Sequence, residues 1–188
     1  MVSLMTTTAR DVAAALRRRI PGLPVKKLHK LLYYCQGHHL ATFGVPLFGE
    51  SVMAWDMGPV VGQLWHEEKT DGAGQPADGA LDEAQLNTVG YVVSRYGALT
   101  GLDLEHLTHA ESPWQRADED RTPGTSARIE TAWIADYFLR ADAGDDEGEP
   151  VLDSDVVRAW LAGADERRTD SRPVDDLGEI QRRLADLA

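Results

Sequence analysis

One short segment, CQGHH, holds the only cysteine of the chain and two adjacent histidines. Cys35, His38 and His39 have the residue types and spacing of a zinc site or of a thiolate activated by an imidazole. On a helix, Cys35 and His39 lie one turn apart on a side that is otherwise aliphatic. A reactive thiolate needs an electropositive, partly exposed setting. We therefore predict that Cys35 packs in the core, that His39 is a buried neutral imidazole with one hydrogen-bond partner, and that His38 lies at the exposed flank.

Two further groups of side chains could contribute metal ligands. His66 precedes Glu67, and His106 and His109 are spaced so that both could face one ion, with Glu111 close by. Neither group has the HExxH or paired CxxC pattern of a zinc site, and the glycine-rich segment at 72–79 lacks the GK[ST] of a phosphate-binding loop. The sequence therefore predicts no catalytic residue, no metal and no cofactor, so we do not expect an enzyme.

Composition narrows the function classes further. The chain has 188 residues, 43% of them hydrophobic, and a formal net charge of -12. Such a charge argues against a general binder of polyanions. A single cysteine cannot form an internal disulfide, and no apolar run approaches the roughly 20 residues of a membrane span. We expect a cytoplasmic protein that does not contact a membrane.

The charges are distributed unevenly along the chain. Residues 1–30 carry seven basic side chains and one acidic one, whereas residues 141–188 carry fourteen acidic side chains and six arginines. These ends are either two solvated surfaces, or a basic contact face and an acidic tail that masks it or meets a basic partner. DNA binding through Arg17, Arg18 and Arg19 is the alternative that the basic end leaves open, although the second helix is too apolar for a recognition helix.

Hydrophobic periodicity and capping residues predict a mainly α domain of about six helices with a minor short β element. Thr7 or Thr8 is the expected N-cap of the first helix, and Gly44 the expected end of the second. The predicted elements are helices at about 9–19 and 25–42, a strand at 52–55, a turn at 56–59, a helix starting with Pro59, helices capped by Asp82–Gln85 and Thr100–Asp103, a polar loop at 115–127, and a helix at about 131–140.

The last quarter of the sequence is predicted to be a separate part. Residues 141–150 have the composition of a linker. Two weaker helices are expected near 153–162 and 175–187, the second with an apolar stripe that docks on its own domain or in a partner's groove. The predicted organisation is a domain over residues 1–141 and an acidic linker with a helical C-terminal extension over 142–188.

The segment from Val25 to His66 carries motifs of a known family. The shared pattern reads K-L-x-K-L-L-Y-Y-x-Q, then L-F, then A-W and G-P-V, and further on L-T-H and P-W. This sequence resembles the Panacea domain of SocA-type antitoxins, also called the phage-associated GepA-like domain, over about residues 8 to 141. The matching positions are Lys27-Leu28, Lys30-Leu31-Leu32-Tyr33-Tyr34, Gln36, Leu40, Leu47-Phe48, Glu50, Ala54-Trp55, Gly58-Pro59-Val60, Leu107-Thr108-His109 and Pro113-Trp114.

The resemblance implies an antitoxin of a type II toxin–antitoxin pair, or a prophage-carried relative. Members neutralise toxins by direct contact between proteins, and their toxins include alarmone-synthetase-like proteins that block translation. One branch acts as an adaptor that delivers its toxin to a protease. The family brings no catalytic residues. The implied partner is a cognate protein toxin, with self-association and operator binding as alternatives to test.

The motif residues have two possible uses. As scaffold we predict Leu28, Tyr33, Tyr34, Gln36, His109 and Trp114, with Trp114 folding back over the helical core and His109 fixing the turn before it. As partner-binding residues we predict Trp55, Asp56, Gly58, Pro59, Lys26 and Lys30. A scaffold role for the turn at Trp55–Pro59 remains the alternative.

Overall fold

The computed structural model describes residues 7–71 and 79–143. Within these ranges a small antiparallel sheet lies against a helical body, which confirms the mainly α fold with a minor β element. The elements are α1 (Ala9–Arg19), α2 (Val25–Phe43), β1 (Val52–Trp55), β2 (Gly58–Val61), α3 (Gly62–Asp71), α4 (Glu83–Tyr96), α5 (Gly101–Ala110), α6 (Ser112–Asp118), β3 (Ala127–Ile129) and α7 (Thr131–Ala143). The predicted helices near 153–162 and 175–187 lie outside the described residues, and the domain boundary at 141 stays a prediction.

Local side-chain signals set several helix ends where the sequence predicts them. Gly44 ends α2 in the left-handed conformation, at a φ of 71°, with its N–H donating to Leu40 O. Glycine adopts this conformation without the steric cost that a β-carbon brings. Capping boxes, in which a side chain and a backbone N–H satisfy each other reciprocally, begin three helices at Thr8–Asp11, Asp82–Gln85 and Thr100–Asp103.

Helix α2 is the centre of the domain, and every residue from Leu28 to Leu40 is buried. Cys35 is fully buried, as predicted, and its thiol is free. His39 is also buried; because the Thr88 hydroxyl donates to Ala84 O, His39 Nδ1–H donates to Thr88 Oγ1 at 2.9 Å. The prediction of an exposed His38 is wrong, since the residue is 6% exposed. Neighbouring helices cover both flanks of α2, which the pattern of one helix cannot reveal.

Gln36 ties α2 to the connection that follows it. Its Oε1 accepts hydrogen bonds from the backbone N–H groups of Leu47, at 2.9 Å, and Phe48, at 3.2 Å, while Nε2 donates to Phe48 O at 3.1 Å. The amide thus satisfies a stretch of buried backbone as a neighbouring strand would. These hydrogen bonds explain how a glutamine side chain can be buried in α2, and the scaffold role of Gln36 stays a prediction.

The sheet corrects the prediction that Pro59 opens a helix. The strand order is β2-β1-β3, with both pairs antiparallel, and Pro59 lies opposite Ala54. Pro59 belongs to β2, and α3 begins three residues later at Gly62. An edge strand can accommodate proline because one side of its backbone has no ladder to maintain. Burial of all four residues of β2 against α2 and α5 outweighs the local preference for a helix start.

The segment after α5 corrects a second prediction. A polar loop is expected over 115–127, yet residues 115–118 belong to α6 and Ala127 begins β3. The Ser112-Pro113 pair does end α5 as predicted, but Pro113 also occupies the first turn of α6, where a missing N–H costs nothing. One proline therefore ends one helix and starts the next.

Gly37 is where α2 and α7 come closest, and it carries a stability prediction. A β-carbon on Gly37 would overlap the ring of Phe138. We expect Gly37→Ala to lower the free energy of unfolding by about 1–3 kcal/mol, because overpacking outweighs alanine's helix preference. Chemical denaturation measures this. Gly49→Ala is the control, since nothing lies within 4 Å of its β-carbon; equal stability of both variants would contradict the packing.

Candidate partner-binding site

Four of the six predicted partner-binding residues, Trp55, Asp56, Gly58 and Pro59, lie in the hairpin formed by β1 and β2. Trp55 ends β1 half-buried, and its indole packs edge-on against Trp65 with 5.5 Å between ring centroids. Trp55 Nε1 donates to Ser126 Oγ at 2.9 Å. The tip carries Asp56 and Met57, both exposed. The hairpin tip therefore exposes the apolar side chain of Met57 and the acidic side chain of Asp56, next to the packed rings of Trp55 and Trp65.

Asp56 fixes the tip to the loop that precedes β3. Its carboxylate accepts from Arg121 Nη1 at 2.5 Å and from Gly124 N at 2.9 Å. The hydrogen bonds from Arg121 and Gly124 hold the pKa of Asp56 below its usual range. Arg121 is the anchor, because its side chain is 5% exposed and also pairs with Asp118 at 2.6 Å. Sequence reasoning missed Arg121, because an arginine that follows three acidic residues in a polar loop gives no signal that points to Asp56.

Gly58 and Pro59 shape the hairpin from its inner side. Gly58 has a φ of 93°, a conformation that favours glycine, and a β-carbon there would meet Lys30 Cε at 2.7 Å and Thr108 Oγ1 at 2.9 Å. Both Gly58 and Pro59 are buried. They position the hairpin over α2 and α5, so a partner would meet Trp55, Asp56 and Met57 first.

Trp114 and His109 form the base of the hairpin. Trp114 is 9% exposed and its Nε1 donates to Trp55 O at 3.2 Å. The imidazole of His109 stacks on Trp114, with ring centroids 3.9 Å apart and an interplanar angle of 23°. Burial lowers the pKa of His109 from its usual value. The roles of Trp114 as a cover over the core and of His109 in fixing the turn before it stay predictions.

Tyr33, Tyr34 and Glu111 form a buried polar cluster behind this site. Tyr33 Oη donates to Glu111 Oε2 at 2.7 Å and Tyr34 Oη donates to Glu111 Oε1 at 2.8 Å. Glu111 lies between α5 and α6, so the two hydroxyls join the central helix to the segment that carries His109 and Trp114. Burial raises the pKa of Glu111 to about 7, although the two hydrogen bonds oppose the shift. Burial also raises the pKa of both tyrosines.

The remaining predicted site residues separate into surface and core. Leu28 is fully buried, and its scaffold role stays a prediction. Lys26 is exposed, whereas Lys30, one turn later, is 1% exposed. Lys26 can meet a partner directly, and Lys30 can do so only beneath the hairpin.

The central part of the chain is similar to a known family. Residues 28–115 match the family described as antitoxin SocA-like, Panacea domain. Over these residues the chain is similar to the SocA-like Panacea domain. No significant match was found among curated proteins or among solved structures.

The Panacea match covers the centre of the site. It begins in α2, includes the hairpin, and ends at α6 just beyond Trp114. It is narrower than residues 8–141, over which the sequence resemblance extends. Tyr33, Tyr34 and Glu111 lie inside it, whereas Arg121 lies outside.

The metal-ligand candidates of the sequence do not come together in the described part of the chain. No group of three or more His, Cys, Asp or Glu side chains there has the arrangement of a metal site. Glu67 instead pairs with Arg10 at 2.7 Å, and Glu111 with the two tyrosines. Burial also raises the pKa of Cys35, which disfavours its thiolate. Among the described helices, none has the length and apolar character needed to cross a bilayer.

Sequence reasoning considered Glu111 only as a metal ligand and missed its main contacts. The sequence does contain one signal that points to these contacts. Two adjacent tyrosines on an apolar helix each need a partner for a buried hydroxyl. A carboxylate next to the P-W motif can accept from both, since it has two oxygens.

Glu111 makes the stability of the domain depend on pH. Its pKa in the folded protein, about 7, lies above its unfolded value of 4.5. The folded state binds the extra proton between these values, so this group makes stability fall as pH rises from 4.5 to 7. His29 opposes it, because burial lowers the pKa of His29 to about 4 and stability therefore rises with pH up to 6.5.

The difference between wild type and Glu111→Gln isolates the contribution of Glu111. We expect wild type to lose roughly 3 kcal/mol relative to this variant between pH 5 and pH 8. Urea denaturation at several pH values measures it. Glu130→Gln, at an exposed position, should show no such trend. A difference between wild type and Glu111→Gln that stays constant with pH would contradict the shifted pKa.

Proposed function

We propose that this protein is an antitoxin that silences a cognate protein toxin by binding it directly. The observation that carries the proposal is the match of residues 28–115 to the SocA-like antitoxin family. The family suggests a role without catalysis. The hairpin supports a binding role, because Asp56, Arg121 and Trp114 brace it and Met57 is 40% exposed at its tip. A braced apolar surface loses little entropy on binding.

The basic N-terminal segment offers less support for an operator-binding regulator. Arg17 forms two hydrogen bonds with Glu68, at 2.7 and 3.1 Å, and Arg19 Nη1 donates to Leu86 O at 3.1 Å. Helix α2 is buried and cannot enter a groove of DNA. Arg18 alone of the three arginines is without such a contact in the described residues.

We propose steric neutralisation, in which the Panacea domain covers the functional surface of the toxin. The net charge of -12 supports a version in which acidic surface occupies a nucleotide or RNA site. Binding would then weaken as salt concentration rises. Delivery of the toxin to a protease is the alternative mechanism. We also propose a reducing, cytoplasmic compartment, supported by a single cysteine that is buried and free.

Co-expression with the product of the neighbouring gene tests the proposed function. We expect that product alone to stop growth and this protein to restore it, with both proteins in one peak on gel filtration. Loss of the toxin from wild-type cells but not from protease-deficient cells would favour the adaptor mechanism. A harmless neighbour, or a toxic one that remains toxic beside this protein and forms no complex with it, would refute the proposal. A gel-shift assay with the DNA upstream of the gene tests the alternative hypothesis, that the protein is an operator-binding regulator.

A further inference from the structure

Lys30 is a buried cation without a counter-ion in the part of the chain that the structure describes. Its side chain is among the largest fully buried ones, with 1% of the residue exposed. Its ammonium forms no hydrogen bond and no ion pair within residues 7–71 and 79–143. A buried ammonium without a partner is costly, and proteins seldom keep one. A binding role explains its presence, because the missing partner can come from another molecule.

The surroundings of Lys30 are built to admit its side chain. Gly58 leaves the space, since a β-carbon there would lie 2.7 Å from Lys30 Cε and 3.3 Å from Nζ. Thr108 Oγ1 borders the same space, but its proton is already donated to carbonyls of α5. Gly58 directly follows the exposed tip residues Asp56 and Met57. The ammonium thus ends beneath the hairpin tip, next to Gly58 on the inner side of the hairpin.

The charges around Lys30 leave its positive charge incompletely balanced. Burial lowers its pKa to about 8, Glu105 raises it and Lys26 lowers it further. Glu105 is not within ion-pair distance. His109, next to Thr108, has a buried Nε2 without a hydrogen-bond partner in the described residues. In the described residues, His109 Nε2 therefore lacks a hydrogen-bond partner and the Lys30 ammonium lacks an ion pair.

We propose that Lys30 heads an anion subsite beneath the hairpin tip that accepts one carboxylate of the protein partner. The subsite rests on the proposed function, because the carboxylate would come from an acidic side chain of the toxin. A single carboxylate matches the single buried positive charge. A phosphate dianion would bring excess negative charge next to Glu105 in a protein that is already acidic.

The variant Lys30→Met distinguishes a role of Lys30 in partner binding from a role in the stability of the fold. Methionine keeps the apolar stem and removes the charge. We expect its thermal midpoint to rise, because an unpaired buried charge is gone, and its affinity for the partner to fall about thirtyfold or more. Arg140→Met is the control, because it removes an exposed positive charge on α7, outside the predicted partner-binding residues, and it should change affinity less than about threefold. Equal affinities of Lys30→Met and wild type would overturn the subsite and leave the antitoxin function intact.

A second experiment does not require the partner. Acetate and inorganic phosphate are titrated into the full chain at constant ionic strength, and NMR follows the Lys30 ε-methylene signal and the His109 ring. We expect a saturable shift of the Lys30 signal with acetate. Saturation by phosphate alone would overturn the carboxylate assignment, and no saturable shift with either anion would overturn the subsite. If acetate shifts the Lys30 signal but this protein neither restores growth nor forms a complex in the co-expression experiment, the antitoxin proposal would be refuted and the anion subsite supported.

Discussion

Glu111→Ala is expected to lower the free energy of unfolding by about 2–5 kcal/mol at pH 6. The variant leaves two buried tyrosine hydroxyls, those of Tyr33 and Tyr34, without the acceptor they now reach at 2.7 and 2.8 Å. Each unsatisfied buried hydroxyl costs about 1–3 kcal/mol. At pH 6 the carboxyl is mainly protonated, so relief from a buried charge does not offset the loss. Urea denaturation followed by circular dichroism measures the change.

A double-mutant cycle assigns the loss to the tyrosine contacts. Tyr33→Phe and Tyr34→Phe remove the hydroxyls but keep the rings, which pack against Phe138. Glu111→Ala should be less damaging in a background that carries both tyrosine substitutions, since no hydroxyl is left unsatisfied there. Glu130→Ala, at an exposed position, serves as the control and should change stability by less than about 0.5 kcal/mol. If the losses of unfolding free energy were additive in the cycle, the hydrogen bonds between Glu111 and the two tyrosines would be contradicted.

Trp114→Ala is expected to cost about 3–5 kcal/mol and to release the hairpin. The substitution removes a large side chain that is 9% exposed, its stacking on His109 and its hydrogen bond to Trp55 O. Because Trp114 lies beneath the hairpin, amide exchange of β1 should accelerate more than that of α4. Hydrogen exchange and urea denaturation measure the two effects.

Two companion variants test this account of Trp114. Trp114→Phe keeps an aromatic ring against His109 but cannot donate to Trp55 O, so we expect a loss of about 1–2 kcal/mol and faster exchange in β1. Trp133→Ala is the matched control. Trp133 is half-buried and packs against Arg116, whose guanidinium lies 4.6 Å from the ring centroid. Similar losses for Trp114→Ala and Trp133→Ala, or unchanged exchange in β1, would show that Trp114 does not hold the hairpin.

Sequence patterns were sufficient where the determining interaction is local. The capping boxes at Thr8, Asp82 and Thr100 involve residues three positions apart, and each helix begins where predicted. The strand at Val52–Trp55 also follows from its own residues. The burial of Cys35 follows from the aliphatic side of α2 on which it lies. In each case the chain within one or two turns contains the information.

The wrong predictions have a common physical reason. Pro59 satisfies the local rule for a helix start, but pairing with β1 and burial against α2 decide its conformation. His38 is covered by residues of α4 and α7. The bond from Tyr33 to Glu111 spans 78 positions of sequence. Contacts of this kind depend on how elements meet, which one sequence does not specify through spacing. The buried state of Lys30 was missed for the same reason, because a lysine in a pattern is expected at the surface.

Calorimetric titration of the full chain into the purified product of the neighbouring gene tests the central claim most directly. The account predicts a saturable complex of defined stoichiometry. It also predicts that Met57→Asp at the hairpin tip weakens the complex at least about tenfold. Val45→Asp is the control, because Val45 is 53% exposed and lies outside the hairpin, and its affinity should equal that of wild type. The absence of heat and of a complex, or equal affinities for Met57→Asp and wild type, would contradict toxin binding through this surface.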